Sequence, residues 1–285
     1  MKIGLNIFPV ALEEQVPLAR LAEELGYHSL WYGEHIALPA VFDPAEYPTG
    51  KPPFDPRTRF LDPFALFTHL AAATRTIRFG TGIVILPLRD LFTTARTIVT
   101  VDRLSGGRLD LGVGVGSVRS EYGRVGRRWE TRGAVLDEFL AALDRLWSDA
   151  TPEFHGRHFD FGPIGFEPKP VQAPRVPVHA GGFTEPSLRR AARCDGWYGL
   201  VDSPEQARAT RDRIEGYRRE YGTAGRPFEL TLLFLFSAPP AAQVADYEAA
   251  GVDQIVVTPW VDWKRRERAL PATREYAAQV GLAGR

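Results

Sequence analysis

Among 285 residues there is one cysteine, one methionine and four lysines, and the 35 basic side chains balance the 35 acidic ones. Each scarcity removes a class of explanation. Cys194 alone cannot close an internal disulfide, so nothing asks for an oxidising compartment, and a cytoplasmic location is expected. A net charge of zero provides no field to draw the chain to nucleic acid or to anionic lipid. No apolar run approaches the roughly 18 residues of a spanning helix, and the first residues lack a charged segment followed by a long apolar one, so neither an anchor nor a signal peptide is expected. The lysines stand at 2, 51, 169 and 264, none at the end of a predicted strand where a Schiff-base amine would sit. A small neutral or anionic ligand remains the expected partner.

What is present is a repeating alternation. Apolar runs at Lys2–Phe8, His28–Gly33, Ile77–Leu86, Arg108–Val115, Val176–Ala180, Gly196–Val201, Phe228–Phe236 and Gln254–Thr258 read as eight strands. Helical stripes lie between them, among them Leu12–Leu25, Pro63–Thr74, Leu91–Leu104 and a long one from about Thr131; later ones start near Pro186, Pro204, Pro240 and Lys264. Strands that are apolar throughout, each followed by a helix, predict an α/β chain closed as a (β/α)8 TIM barrel, one domain over residues 1–285. A doubly wound open sheet is the alternative, because alternation alone does not show closure. Two insertions interrupt the repeat: a proline-rich stretch from Ile36 to Leu61 after the second strand, holding Phe42, Tyr47, Phe54 and Phe60, and a hairpin from Glu153 to Gly165 after the fourth helix. The first reads as a lid over the mouth or as a surface insertion.

Candidate chemistry gathers at strand ends. Gly112, Gly114 and Gly116 form a GxGxG run that lacks the helix start a dinucleotide fingerprint needs, yet permits close approach of a ligand or simply a tight turn. Gly181, Gly182 and Thr184 lead from the fifth strand into a helix; they read as a phosphate cradle at a positive helix end, or Thr184 reads as a cap. His35 ends the second strand, where a histidine can exchange a proton near neutral pH or merely pack. Its neighbour Glu34 would orient the ring, act as the acid, or form a surface ion pair. His155 and His158, with Glu153 and Asp160, have no metal-site spacing behind them, and no metal is expected. The basic runs at 124–128 and 264–268 read as solvated faces.

These segments, above all AEELGYHSLWYGEHIALP, TRTIRFGTGIVILPLRD and ARTIVTVDRLSGGRLDLGVGVG, resemble the luciferase-like monooxygenase superfamily and most of all its branch dependent on the deazaflavin coenzyme F420. The match runs in order through most of residues 1–200. The resemblance implies an F420-dependent oxidoreductase that moves a hydride between the cofactor and a C=C, C=N or C=O bond. Its ring would lie at the barrel mouth, its phosphate at Gly181–Gly182 and near Gly114 and Gly116. It further implies a non-prolyl cis peptide at Gly82–Ile83, behind the ring, and a proton-transfer role for Glu34–His35 where relatives carry an aspartate–histidine pair. Arg189 and Arg190 are candidate partners for an anionic cofactor tail. The same fold also serves FMN-dependent monooxygenases fed by a partner reductase, and a homodimer is expected by analogy. A phosphate-binding isomerase or lyase using the same glycine loops is the reading outside redox chemistry.

Overall fold

The computed structural model describes residues 1–8, 10–46, 57–260 and 268–282. Eight parallel strands close into a barrel: β1 (Lys2–Asn6), β2 (Ser29–Tyr32), β3 (Arg78–Thr81, resumed at Val84–Ile85), β4 (Leu109–Gly114), β5 (Val178–Gly181), β6 (Gly196–Gly199), β7 (Glu229–Leu233) and β8 (Gln254–Val257). The pairing runs β3–β2–β1–β8–β7–β6–β5–β4, and β4 returns to β3 through Phe79 opposite Leu109 and Val84 opposite Val113. Closure leaves no sheet edge, and nearly every strand residue is buried on both faces, which is why the runs read as continuously apolar.

Helices α1 (Leu12–Glu24), α2 (Pro63–Ala73), α3 (Leu91–Ser105), α4 (Arg119–Arg124), α5 (Arg132–Ser148), α6 (Glu185–Ala191), α7 (Pro204–Glu220), α8 (Ala241–Ala249) and α9 (Ala269–Gln279) surround it. Asp62 caps α2 by accepting from Phe64 and Ala65 amides, and Asp90 caps α3 by accepting from Thr93. The DRLSGGRL stretch is a structural clasp at the far end of the barrel from the mouth. Asp102 accepts from the Val171 and Gln172 amides, and the Arg108 guanidinium donates to the carbonyls of Ser105, Ile77 and Ala71 at 2.6, 2.9 and 3.1 Å.

Three expectations need correction. The third strand is not continuous from Ile77 to Leu86: it breaks after Thr81, and Leu86–Leu88 form a 3-10 turn. From Gly80 to Val84 it advances four residues while its partner advances three, from Asp110 to Val113, so one residue is bulged out at the mouth. The Gly82–Ile83 peptide inside that bulge is cis, at the position the family resemblance implies. Between the glycine run and the long helix near Thr131 lies the unforeseen short helix α4. Finally, α9 begins at Ala269; residues 264–267, like Tyr47 and Phe54 of the stretch after β2, lie outside the described residues. The expected hairpin is present as Phe154–His155 paired antiparallel with Asp160–Phe161.

Inside the barrel, Trp31 and Tyr198 stack with centroids 4.7 Å apart, and Gly80 faces the indole so closely that an added Cβ would overlap it. Replacing Gly80 with alanine therefore overpacks the interior and should cost about 1–3 kcal/mol, read as a lower denaturation midpoint at unchanged slope.

Candidate active site

The C-terminal ends of the strands form the mouth, where barrel enzymes hold their reactive groups. Ile83, partly exposed, follows the cis peptide and packs against both the Trp31–Tyr198 layer and a second cluster of Ile85, Leu88 and Tyr122. Gly114 and Gly181 flank it: a Cβ on the first would meet the Ile83 side chain at 2.9 Å and on the second at 3.2 Å. Gly82 is equally constrained, since a Cβ there would lie 2.5 Å from the Tyr198 hydroxyl. Gly116, in the left-handed region at φ 67°, turns the chain from β4 toward α4.

His35 stands on the loop after β2, its side chain 13% exposed, with its ring edge-on to Phe60 at 4.9 Å; Phe60 stacks in turn on Phe8. Its Nδ1 lies 2.8 Å from Oε2 of Glu121, a side chain only 1% exposed on α4. The other oxygen, Oε1, accepts from the amides of Ile36 and Ala37 at 2.9 and 3.0 Å. Burial pushes the Glu121 carboxyl up, but the hydrogen bond and charge of His35 and these two amides outweigh it, and the net effect is downward from the ordinary carboxylate range. An ionised carboxylate only accepts, so Nδ1 carries the proton it shares with Glu121.

The carboxylate that orients His35 is thus Glu121 and not its neighbour Glu34. Glu34 turns away: Oε1 accepts from the Ile85 amide at 2.7 Å, and both oxygens receive the Arg89 guanidinium, which also reaches Asp62 at 2.6 Å. With the Glu34 amide donating to the Ile83 carbonyl at 3.2 Å, this residue clamps the bulged segment of β3. Burial alone would lower the Arg89 pKa, yet its hydrogen bonds and charge contacts with Glu34 and Asp62 raise it overall. Glu121 escaped sequence reading because α4 is six residues long and has no apolar stripe to mark it; its only signal was an acid shortly after a strand-end glycine run.

Across the mouth, Gly182 adopts φ 112°, a conformation reserved for glycine, and a Cβ there would lie 2.7 Å from Ser187 Oγ. Thr184 occupies the N-cap position of α6 in an extended conformation, but its hydroxyl pairs with Ser187 Oγ at 2.9 Å rather than with a helix amide, and no side chain caps the first turn. Of the two arginines considered for an anionic tail, Arg190 is buried and forked onto Asp137, and Arg189 is held by Glu185 and Glu220. Both are committed to structure. In the hairpin, His155 Nδ1 pairs with Asp160 at 2.6 Å. Among the described residues no helix is long and apolar enough to cross a membrane.

A bare, partly apolar floor at Ile83, glycine loops on either side, an uncapped helix start with paired hydroxyls and a buried acid–histidine couple make a set suited to a flat, phosphorylated redox cofactor. The model of the luciferase-like monooxygenase family matches residues 4–284. An uncharacterized protein of Mycobacterium tuberculosis is 31% identical over 247 residues, 85% of this chain and 83% of that one. Among solved structures, a monooxygenase from Streptomyces bottropensis superposes with a TM-score of 0.76 at 21% identity over 98% of both chains. The coenzyme F420-dependent tetrahydromethanopterin reductase from Methanopyrus kandleri does so at 0.75 and 15% identity over 100% of this chain and 99% of its own. At these identities both likenesses concern the fold.

Proposed function

The chain belongs to the luciferase-like monooxygenase family, and from that premise we propose that it is an oxidoreductase working with coenzyme F420 on a small organic substrate. The observation that carries this reading is the His35–Glu121 couple set beside the glycine-bared mouth. The residues fit such a cofactor. Gly181, Gly182 and Thr184 would receive its phosphate at the uncapped start of α6, Gly114 and Gly116 would leave backbone room on the β4 side, and Ile83 with Gly82 would support the ring. When bound, the deazaflavin supplies a two-electron hydride carrier that reacts poorly with dioxygen, which directs the chemistry toward C=C, C=N or C=O bonds or their formation.

The protein's own part is positional and protonic. Glu121 holds the His35 ring by Nδ1 and supports the positive charge that appears whenever Nε2 takes up a proton. His35 Nε2 then exchanges that proton with the substrate atom that gains or loses it. Phe8, Phe60 and Tyr32, packed against one another beside His35, supply an apolar wall that keeps water from the ring. A second reading, an FMN-dependent monooxygenase supplied by a reductase, is supported by the Streptomyces bottropensis neighbour, itself a monooxygenase.

Mixing the protein with reduced deazaflavin, and separately with reduced FMN, and a panel of activated alkenes, imines and ketones, in anaerobic and in air-saturated buffer, tests the two. Reoxidation that needs the organic acceptor and is indifferent to oxygen supports the proposal. Turnover only with reduced FMN and dioxygen overturns it in favour of the second reading.

A further inference from the structure

Arg127 and Arg128 belong to the short basic run that follows α4, and the fold brings them over a cavity of about 200 Å³ beside the mouth. Pro87, Tyr122, Thr131 and His158 are among the other residues that line it. Among the described residues no acidic one lines it. The carboxylates near in sequence are engaged elsewhere: Glu121 pairs with His35 at 2.8 Å, Glu130 with Arg119 at 2.9 Å and Asp137 with Arg190, and Glu138 accepts from the amides of Arg157, His158 and Phe159. Among the described residues neither Arg127 nor Arg128 has an ion-pair partner, although both are exposed.

The frame around them is held by hydrogen bonds and ring contacts. Tyr122 donates to the Val115 carbonyl at 2.5 Å and meets Trp129 edge-on at 5.2 Å, and the Arg132 guanidinium lies 3.7 Å over that same indole. The Arg127 guanidinium touches the Arg89 carbonyl at 3.4 Å, on the residue whose side chain clamps Glu34. Tyr122 directly follows Glu121, so the cavity wall and the carboxylate that orients His35 share one helical turn. The volume is below the roughly 300 Å³ at which whole-ligand pockets begin. It suits one terminal group of a ligand that extends from the mouth, and a pair of guanidinium forks matches a carboxylate or a phosphate in shape and charge.

We propose that this cavity is an anion subsite of the active site, taking a carboxylate or phosphate carried at the end of the substrate or of the cofactor. The assignment rests on the mouth being the active site, but its test needs no cofactor. Glutarate and inorganic phosphate are titrated separately into the unliganded protein by calorimetry, in the wild type, in Arg127→Gln/Arg128→Gln and in Arg213→Gln, which removes an exposed charge from α7. The proposal expects that the double variant weakens binding of at least one probe by about tenfold or more, while Arg213→Gln leaves it unchanged. Loss confined to glutarate identifies a carboxylate, and loss confined to phosphate a phosphoryl group. Equal binding in wild type and double variant, or no binding of either probe to the wild type, overturns it. Because phosphate held by the Gly181–Gly182 loop is untouched by the double variant, only the difference between the two proteins reports on the cavity. A failed deazaflavin titration leaves this result intact, and the absence of a difference here leaves the redox proposal standing.

Discussion

Replacing His35 with alanine is expected to lower turnover by about 10²–10⁴-fold, the usual contribution of a positioned acid or base, while the cofactor still binds. The more informative partner is Glu121→Gln. In the wild type Oε1 serves the Ile36 and Ala37 amides and Oε2 serves His35 Nδ1. Glutamine keeps one acceptor, which the two amides claim, and turns its NH2 toward Nδ1. The ring must then accept at Nδ1 and carry its proton on Nε2, the wrong tautomer for a base at the mouth. A loss comparable to that of His35→Ala is therefore expected from a nearly isosteric change, with the alkaline and acid limbs of the kcat profile altered as well. Variants that retain turnover within about threefold would remove the couple from the chemistry.

The same couple has a pH signature in stability. The folded-state pKa of Glu121 lies below its unfolded value, so its contribution is complete above the ordinary carboxylate range and is lost only as pH falls through the lowered value. Destabilisation from this group should accordingly appear only below about pH 4, and Glu121→Gln should flatten that part of the stability curve.

Glu34→Ala should produce the largest loss of stability without touching the substrate. The side chain is 3% exposed and its partner Arg89 is 16% exposed, so removal leaves a largely buried guanidinium with Asp62 alone and orphans the Ile85 amide. Breaking such a pair from one side costs about 3–5 kcal/mol when burial is complete; the remaining Asp62 contact and partial exposure place the expectation near 3 kcal/mol. Glu34→Gln retains an acceptor for Ile85 and should cost less. A fall in unfolding free energy below about 1 kcal/mol for Glu34→Ala would show that the bulged segment of β3 is held by other means.

Much of the barrel was legible because parallel strands buried on both faces leave uninterrupted apolar runs, and Ile98, Phe139 and Leu143 mark helices by their spacing. The DRLSGGRL stretch, part of a segment that carries the family resemblance, serves the scaffold through Asp102 and Arg108. Site chemistry was only half visible. His35 could be named from its place just beyond a strand end, but adjacency in sequence suggested Glu34 as its partner, whereas on the loop after β2 Glu34 turns to Arg89 and the Ile85 amide. Glu121 comes from 86 residues away, and it is the side-by-side pairing of β2, β3 and β4 that brings its helix to His35. The cavity under Arg127 and Arg128 was hidden for the same reason, since a basic run reads as solvated until the fold shows what it lines.

The most direct test is to titrate the unliganded protein with coenzyme F420 and, separately, with FMN, following fluorescence, and to repeat both with Gly182→Asp. That substitution places a branched, negatively charged side chain at φ 112° against Ser187, where the phosphate is proposed to sit. The account predicts tight deazaflavin binding that the variant weakens by at least about a hundredfold. Tight binding of FMN alone, or deazaflavin binding that Gly182→Asp leaves unchanged, would contradict it.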